Sequence, residues 1–303
     1  EQSVRAAYAR LDSESKYEEK QAVQDLLSGC SQRSIAFGYF TERMFGNCRP
    51  LIRAPLKGAD LVSVDLDSAN LRDADLSAAN LVAANLNNAD LAFADLISAN
   101  LRDAKLTRTD LHGANLISAD LRNANLISAV LYDTILVSTD LRAANLVFAN
   151  LRNADLRAAE LTSAELRNAH LYEANLVSTN LKGANLENAN LFSTNLRNAN
   201  LQDTNLQDAS LREADLHNSN LRNALLLSTN LRTVKSLTAQ QLGGENQPFI
   251  CNSPFPETIE IEGGKNRDCD KLAAVLIQRY PDRFETLEES QAFVEEQRKK
   301  TWD

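Results

Sequence analysis

Ala59 to Asn88 reads ADLVS VDLDS ANLRD ADLSA ANLVA ANLNN. Leu61, Leu66, Leu71, Leu76, Leu81 and Leu86 stand five apart in it, and the phase continues both ways. Leucine occupies every fifth position from Leu51 to Leu231, 37 in succession. Two residues before the leucine the chain is almost always small, as at Ala59, Ala74, Thr109, Thr139 and Ser219. Immediately before it stands Asp or Asn as a rule, as at Asp60, Asp65, Asn70 and Asp75. A period of five matches neither the 3.6 of a helix nor the 2 of a flat strand. An unbroken short repeat reads instead as a solenoid.

In extended backbone, residues two apart share a face, so Ala59 and Leu61 point together and Asp60 points away. Five is an odd step, so a straight strand would send Val64 and Leu66 to the opposite face. The leucines cannot all face water, because burying one stabilises by roughly 1.5–3 kcal/mol. The chain must therefore turn within every block and bring each leucine to one axis. Such a path is a β-helix, with coils paired backbone to backbone at about 4.8 Å. Small residues two before leucine suit a narrow interior. Asp and Asn tolerate bent backbone and bond neighbouring amides. Between Pro55 and Pro248 there is no proline, which would remove an amide that coil stacking needs.

The pattern A(D/N)LXX resembles the pentapeptide-repeat family over residues 51 to 235. That resemblance implies an all-β solenoid, a right-handed quadrilateral β-helix with five residues per side and 20 per coil. About nine coils then follow, a rod on the order of 43 Å long at the sheet spacing. Three regions are expected: residues 1–50 as an N-terminal helical cap and first strand, 51–235 as the β-helix, and 236–303 as a C-terminal helical cap. The core column includes Leu61, Leu81, Leu101, Leu121, Leu141, Leu161, Leu181, Leu201 and Leu221.

A β-helix has raw edges at both ends, and solenoids need caps. Val4, Tyr8 and Leu11 fall at helical spacing. A second helix follows, with Ser15 and Glu18 as its capping box, Val23, Leu26 and Leu27 as its apolar face and Gly29 as its stop. Ile35, Phe37 and Tyr39 alternate like a strand. Beyond the repeat, SLTAQQL (Ser236–Leu242) resembles the short helix that closes such rods. Asp268 to Tyr280 reads as a helix stopped by Pro281, with Leu272, Val275, Leu276 and Ile277 apolar. A last helix starts near Thr286, boxed with Glu289.

All four cysteines lie in the flanks, Cys30 with Cys48 and Cys251 with Cys269, 18 positions apart in each pair. Even number and local pairing point to two disulfides clamping the two ends. Four reduced buried thiols are the alternative. Disulfides would place the protein in an oxidising compartment, the periplasm or thylakoid lumen; reduced thiols would place it in the cytoplasm. The chain begins at Glu1, which suits a mature exported protein and a trimmed chain equally.

Chemistry is sparse. The three histidines, His112, His170 and His217, fall on different columns when stacked at 20 residues. No nucleophile–histidine arrangement, Gly-rich phosphate loop or C-x-x-C is present, so no enzyme, cofactor or metal is expected. The formal net charge is −9. Within 51–232 there are 21 acids and 16 bases, which argues against a generic nucleic-acid binder. No apolar run approaches a membrane span.

What varies is the outer surface, chiefly the residue after each leucine. One column at 20-residue spacing holds His112, Tyr132, Arg152, Tyr172, Phe192 and Arg212, then Arg232. These types are enriched at interface hot spots, so the column is the candidate interaction face. A ladder that only stabilises the rod is the other reading. A second column is basic (Arg102, Arg122, Arg142, Lys182, Arg222), and a third is apolar (Ile97, Ile117, Val137, Val177). Val130, Ile135 and Leu225 break the Asp/Asn rule. Leu225 to Leu227 should lie under the C-terminal helices.

These observations describe a non-enzymatic scaffold that binds protein, with a second copy docking through a terminal cap as a further partner. The resemblance also implies an alternative, because some family members look like duplex DNA and bind DNA gyrase. That role needs a strongly negative surface. The flanks look like those of cyanobacterial members.

Overall fold

The computed structural model describes residues 21–23 and 51–302; the expectations for Val4 to Gly29 other than Val23, for Ile35 to Tyr39, and for Cys30 and Cys48 lie outside them. Parallel bridges join each residue before leucine to the residue 20 further on, from Pro55–Asp75 to Asp215–Lys235. Twenty residues are four blocks of five, so the chain passes four sides and returns beneath itself. The sides are named here by their leucines: Leu61, Leu66, Leu71 and Leu76, with Leu81 back on the first.

Each block is built the same way. The leucine carbonyl accepts the amide three residues on, as in Ala84 N to Leu81 O at 3.0 Å. The residue two after each leucine has positive φ, +54° to +61° in most blocks. That combination is a β-turn of type II character. Two amides then donate to the next coil, as Leu61 N does to Asn80 O and Ser63 N to Val82 O, both 2.8 Å. One amide donates to the preceding coil, as Asn80 N does to Ala59 O at 2.9 Å. Turns leave so little extended backbone per side that single-residue bridges replace long strands. Among the described residues only β1 (Leu225–Leu227) and β2 (Phe249–Cys251) are strands, paired in parallel with Leu226 opposite Ile250.

All 37 repeat leucines are at most 2% exposed. The small residues two before them line the same core. Where that residue is threonine, its hydroxyl is not left unpaired. Thr139 Oγ1 donates to Leu116 O at 2.7 Å, and Thr109, Thr134, Thr179, Thr194, Thr204 and Thr229 do likewise 23 residues back. Asp and Asn before leucine accept the amide two residues on, as Asp95 does from Ile97 at 3.0 Å. Asparagines also form ladders, Asn220 donating to Asn200 and Asn200 to Asn180 at 3.0 Å each. Ala22 and Val23 are buried in this same core.

Beyond the repeat, α1 (Ala239–Leu242) opens on a capping box between Thr238 and Gln241. Leu237 and Leu242 close over the core. Gln241 Nε2 donates to the carbonyls of Leu216 and Ser219, standing where a further coil would donate. The outer edge of β2 is also covered. Ile250 exchanges hydrogen bonds with the amide and carboxylate of Asp268, and Asn252 N donates to Asn266 Oδ1. A free edge would otherwise recruit another chain.

Two helices follow, α2 (Cys269–Arg279) and α3 (Leu287–Arg298), the latter with the Thr286–Glu289 box. They pack on Leu225 and Leu227 through Leu272, Leu276, Phe284 and Val294. This hydrophobic cover explains why leucines flank Leu226. The helical pair also reaches back along the Leu66 side, pairing Arg283 with Glu187 at 2.9 Å and Lys300 with Asp208 at 2.6 Å. Cys251 and Cys269 form a disulfide that ties β2 to the first residue of α2.

Candidate interaction face

The residue after each leucine sits at a coil corner, and its side chain meets the equivalent residue one coil away. On the Leu71 side this gathers the column from His112 to Arg212 into two groups, His112 with Tyr132 and Arg152 through Arg212. His112 and Tyr132 stack with centroids 4.9 Å apart and planes 9° apart. Tyr172 and Phe192 stack at 5.5 Å and 6°. Arg152 lies over the Tyr172 ring at 5.3 Å, and Arg212 over Phe192 at 5.9 Å. His112 Nδ1 meets Asp110 Oδ1 at 2.8 Å, which fixes its ring. The neighbouring Glu173 raises the Tyr172 phenol through a hydrogen bond and its charge. Arg232, further along, donates to the Trp302 carbonyl.

Sequence reading missed two members. Phe93 stands two after its leucine, at φ +60°, where most blocks carry a small or polar residue. Its ring nevertheless enters the column. It takes the guanidinium of Arg72 on one side at 4.8 Å and meets His112 edge-on at 4.6 Å on the other. Ala92, fully buried, leaves the room. Gly113 supplies the rest, since a Cβ there would come within 2.6 Å of the Phe93 ring. The signal was an aromatic after the smallest member of the column, with glycine one coil on. Phe148 takes the same strained corner on the Leu66 side and is 57% exposed.

The basic columns differ from this face in their pairing. Arg122, Arg142 and Arg157 each fold back onto the aspartate two residues before, Nη2 to Oδ2 at 2.6, 2.5 and 2.6 Å. These hydrogen bonds hold Asp120, Asp140 and Asp155 below the usual carboxylate range. Arg152 and Arg212 have no such carboxylate within 4 Å among the described residues; their contacts are aromatic faces. Val130 is half-buried and Ile135 is 38% exposed, flanked by Asn115 and Asp155.

The model of pentapeptide repeats matches in eight copies, in segments that run from residue 51 to 147 and from 149 to 227. This chain belongs to the pentapeptide-repeat family. Among solved structures, this pentapeptide-repeat protein is similar to HetL, described as involved in heterocyst differentiation regulation in the cyanobacterium Nostoc sp. strain PCC 7120. The identity is 29%, over 70% of this chain and 91% of HetL, with a TM-score of 0.42. It is also similar to Rfr23 from the cyanobacterium Cyanothece 51142, at 36% identity over 39% of this chain and 64% of that one, with a TM-score of 0.24. A third is a pentapeptide-repeat protein of the Arabidopsis thaliana thylakoid lumen, at 26% identity over 32% and 68% of the two chains, with a TM-score of 0.32. No curated protein matches the chain significantly. Among the described residues no helix is long and apolar enough to cross a membrane.

Proposed function

We propose that this pentapeptide-repeat protein is a non-enzymatic scaffold whose Leu71 side binds a protein partner. The observation that carries the reading is the column's pairing. Its aromatic rings are half-buried in a stack, and Arg152 and Arg212 rest on those rings rather than on carboxylates. Rigid aromatics and uncommitted guanidinium groups are the side chains that anchor interfaces, because little entropy is lost on ordering them. The reading takes the rod as right-handed with about nine coils over residues 51–235, between caps at 1–50 and 236–303. Family members are in general structural or interaction proteins rather than enzymes.

The charge pattern weighs against a gyrase-directed mimic of DNA. Counting the residues of each block from 51 onward, the Leu61 side carries six acids against five bases, and the Leu71 side likewise six against five. A DNA-like face needs continuous negative charge.

Affinity capture from the native organism tests the proposal. The variant Tyr132→Ala/Arg152→Ala/Tyr172→Ala should lose the partner that the native rod retains while keeping its fold. An identical set of captured proteins would overturn the assignment of this face.

A further inference from the structure

The stack on the Leu71 side has one break. From Arg72 through Phe93 and His112 to Tyr132, successive groups lie 4.6–4.9 Å apart. From Arg152 through Tyr172 and Phe192 to Arg212, they lie 5.3–5.9 Å apart. Between Tyr132 and Arg152, although they occupy adjacent coils, no stacking contact forms. Arg152 leans onto Tyr172 and leaves a cavity of ≈ 290 Å³ lined by Tyr132, Asp133, Asn150, Arg152 and Asn153.

The molecule itself shows what such a break accepts. Two coils before Tyr132, Ala92 leaves one rung of the column empty between Arg72 and His112, and that space is filled by a ring from the neighbouring position. Phe93 enters from the corner and ends between an arginine and an aromatic ring. The break at Tyr132 offers the same two kinds of wall, an aromatic face and a guanidinium, here on adjacent coils and parted by the cavity that the lean of Arg152 opens. The corner residue there is Asp133, which cannot fill it, and it is tied to Asn153 Nδ2 at 3.0 Å. The Tyr132 hydroxyl and the Arg152 guanidinium have no hydrogen-bond or ion-pair partner among the described residues.

We propose that this slot receives an aromatic side chain of the protein partner, inserted as Phe93 is inserted in its own coil. The proposal rests on the reading of the Leu71 side as a binding face and names its anchor. A ring placed there would stack on Tyr132 and take Arg152 over its other face, both favourable geometries for aromatic groups. Asp133, Asn150 and Asn153 rim the slot with acceptors. A ring carrying a polar N–H, the indole of tryptophan, therefore fits better than phenylalanine, since a buried donor needs a partner.

The test uses N-acetyl-tryptophanamide as probe and N-acetyl-leucinamide as control, titrated into the full chain. The readout is the NMR shift of the Tyr132 ring and the Arg152 side-chain protons. Saturable shifts in the millimolar range with the tryptophan probe alone are expected. Tyr132→Ala should weaken binding at least tenfold. Asp133→Phe/Asn153→Gly sets a ring and a glycine one coil apart at the mouth of the slot and should abolish binding by blocking it, with the rod intact by circular dichroism. Shifts that never saturate, or that persist in both variants, overturn the proposal. A captured partner that depends on Arg152 and Tyr172, in a protein whose slot ignores the probe, would keep the binding face and remove the slot alone.

Discussion

At the scale of single residues, the corner two after each leucine holds the most strain. Left-handed backbone costs an L-residue roughly 1–2 kcal/mol, and this chain accepts it in nearly every block. Asn, Asp and Ser reduce the cost by bonding locally. Ala78, Ala83, Ala143 and Ala158 cannot, and all have φ of +54° to +56°. Glycine at an exposed example removes the strain but adds chain entropy to the unfolded state, roughly 0.5–1 kcal/mol. Ala158→Gly should therefore stabilise the rod by about 0.5–1 kcal/mol, read from urea midpoints; a loss of stability would show that the corner is unstrained. The aspartates give a second residue-scale prediction. Hydrogen bonds from Ser77, Arg122, Arg142 and Arg157 hold Asp75, Asp120, Asp140 and Asp155 below their ordinary range in the folded chain. A depressed folded value adds stability that is complete above the unfolded carboxylate value, about 3.9, and is lost as pH falls through the folded value. Melting temperature should thus be nearly level near neutrality and fall below about pH 4. Arg142→Met should make that acid fall shallower; an unchanged slope would deny the aspartate its part.

At the scale of elements, the helical pair α2–α3 is held to the rod by contacts of several kinds, among them the hydrogen bond from Arg279 to the Asn223 carbonyl. Leu225 and Leu227 give apolar burial, Glu187 and Asp208 give ion pairs, and Cys251–Cys269 gives a covalent tie. The ion pairs are partly exposed and worth little singly. The disulfide closes a loop of 18 residues, which the chain-entropy model values at roughly 3 kcal/mol. In Cys251→Ala/Cys269→Ala, hydrogen exchange should quicken across α2 and α3 while the amides of Leu101 to Leu181 keep their protection. Equal loss along the whole rod would mean that the helices and coils unfold as one unit. Much of this region was legible beforehand. The Thr286–Glu289 box, the Pro281 stop and the run Leu225–Leu227 each carry a local signal. The flank on which the helices lie was not legible, because Glu187 and Asp208 look like every other acid until the partner cations are placed beside them.

At the scale of the whole molecule, the leucine period dictated a turning path around a dry axis, since no other path buries all 37 side chains. The column from His112 to Arg212 followed from stacking at 20 residues. Phe93 and the break at Tyr132 did not follow, because a one-dimensional repeat says where a side chain starts and not which way it leans. The same distinction gives a test of the architecture. Removing Leu141–Asn145 or Leu141–Glu160 leaves the local pattern intact, since Asp140 then precedes Leu146 or Leu161. Neither local sequence nor backbone pairing tells these deletions apart, since every block is built alike; the side-chain columns do. Bridges link residues 20 apart, so loss of 20 removes one coil, leaves Asp120 bridged to Asp140 and puts Asp140 in the place of Glu160 beside Asn180. Loss of five slides every later block by one side, so backbone pairing persists but Arg152, Tyr172 and Phe192 leave the column of His112 and Tyr132, and Arg157 and Val177 take their places. Contacts in a solenoid reach only neighbouring coils, so the shorter rod keeps its remaining interfaces. The 20-residue deletion should fold with a native circular dichroism spectrum and a urea m-value reduced in proportion to the surface lost. The five-residue deletion should fold as well, and should lose the partner bound on the Leu71 side because Arg152 and Tyr172 no longer lie in line with Tyr132. Unfolding of the five-residue deletion alone would mean that the blocks are not interchangeable between sides.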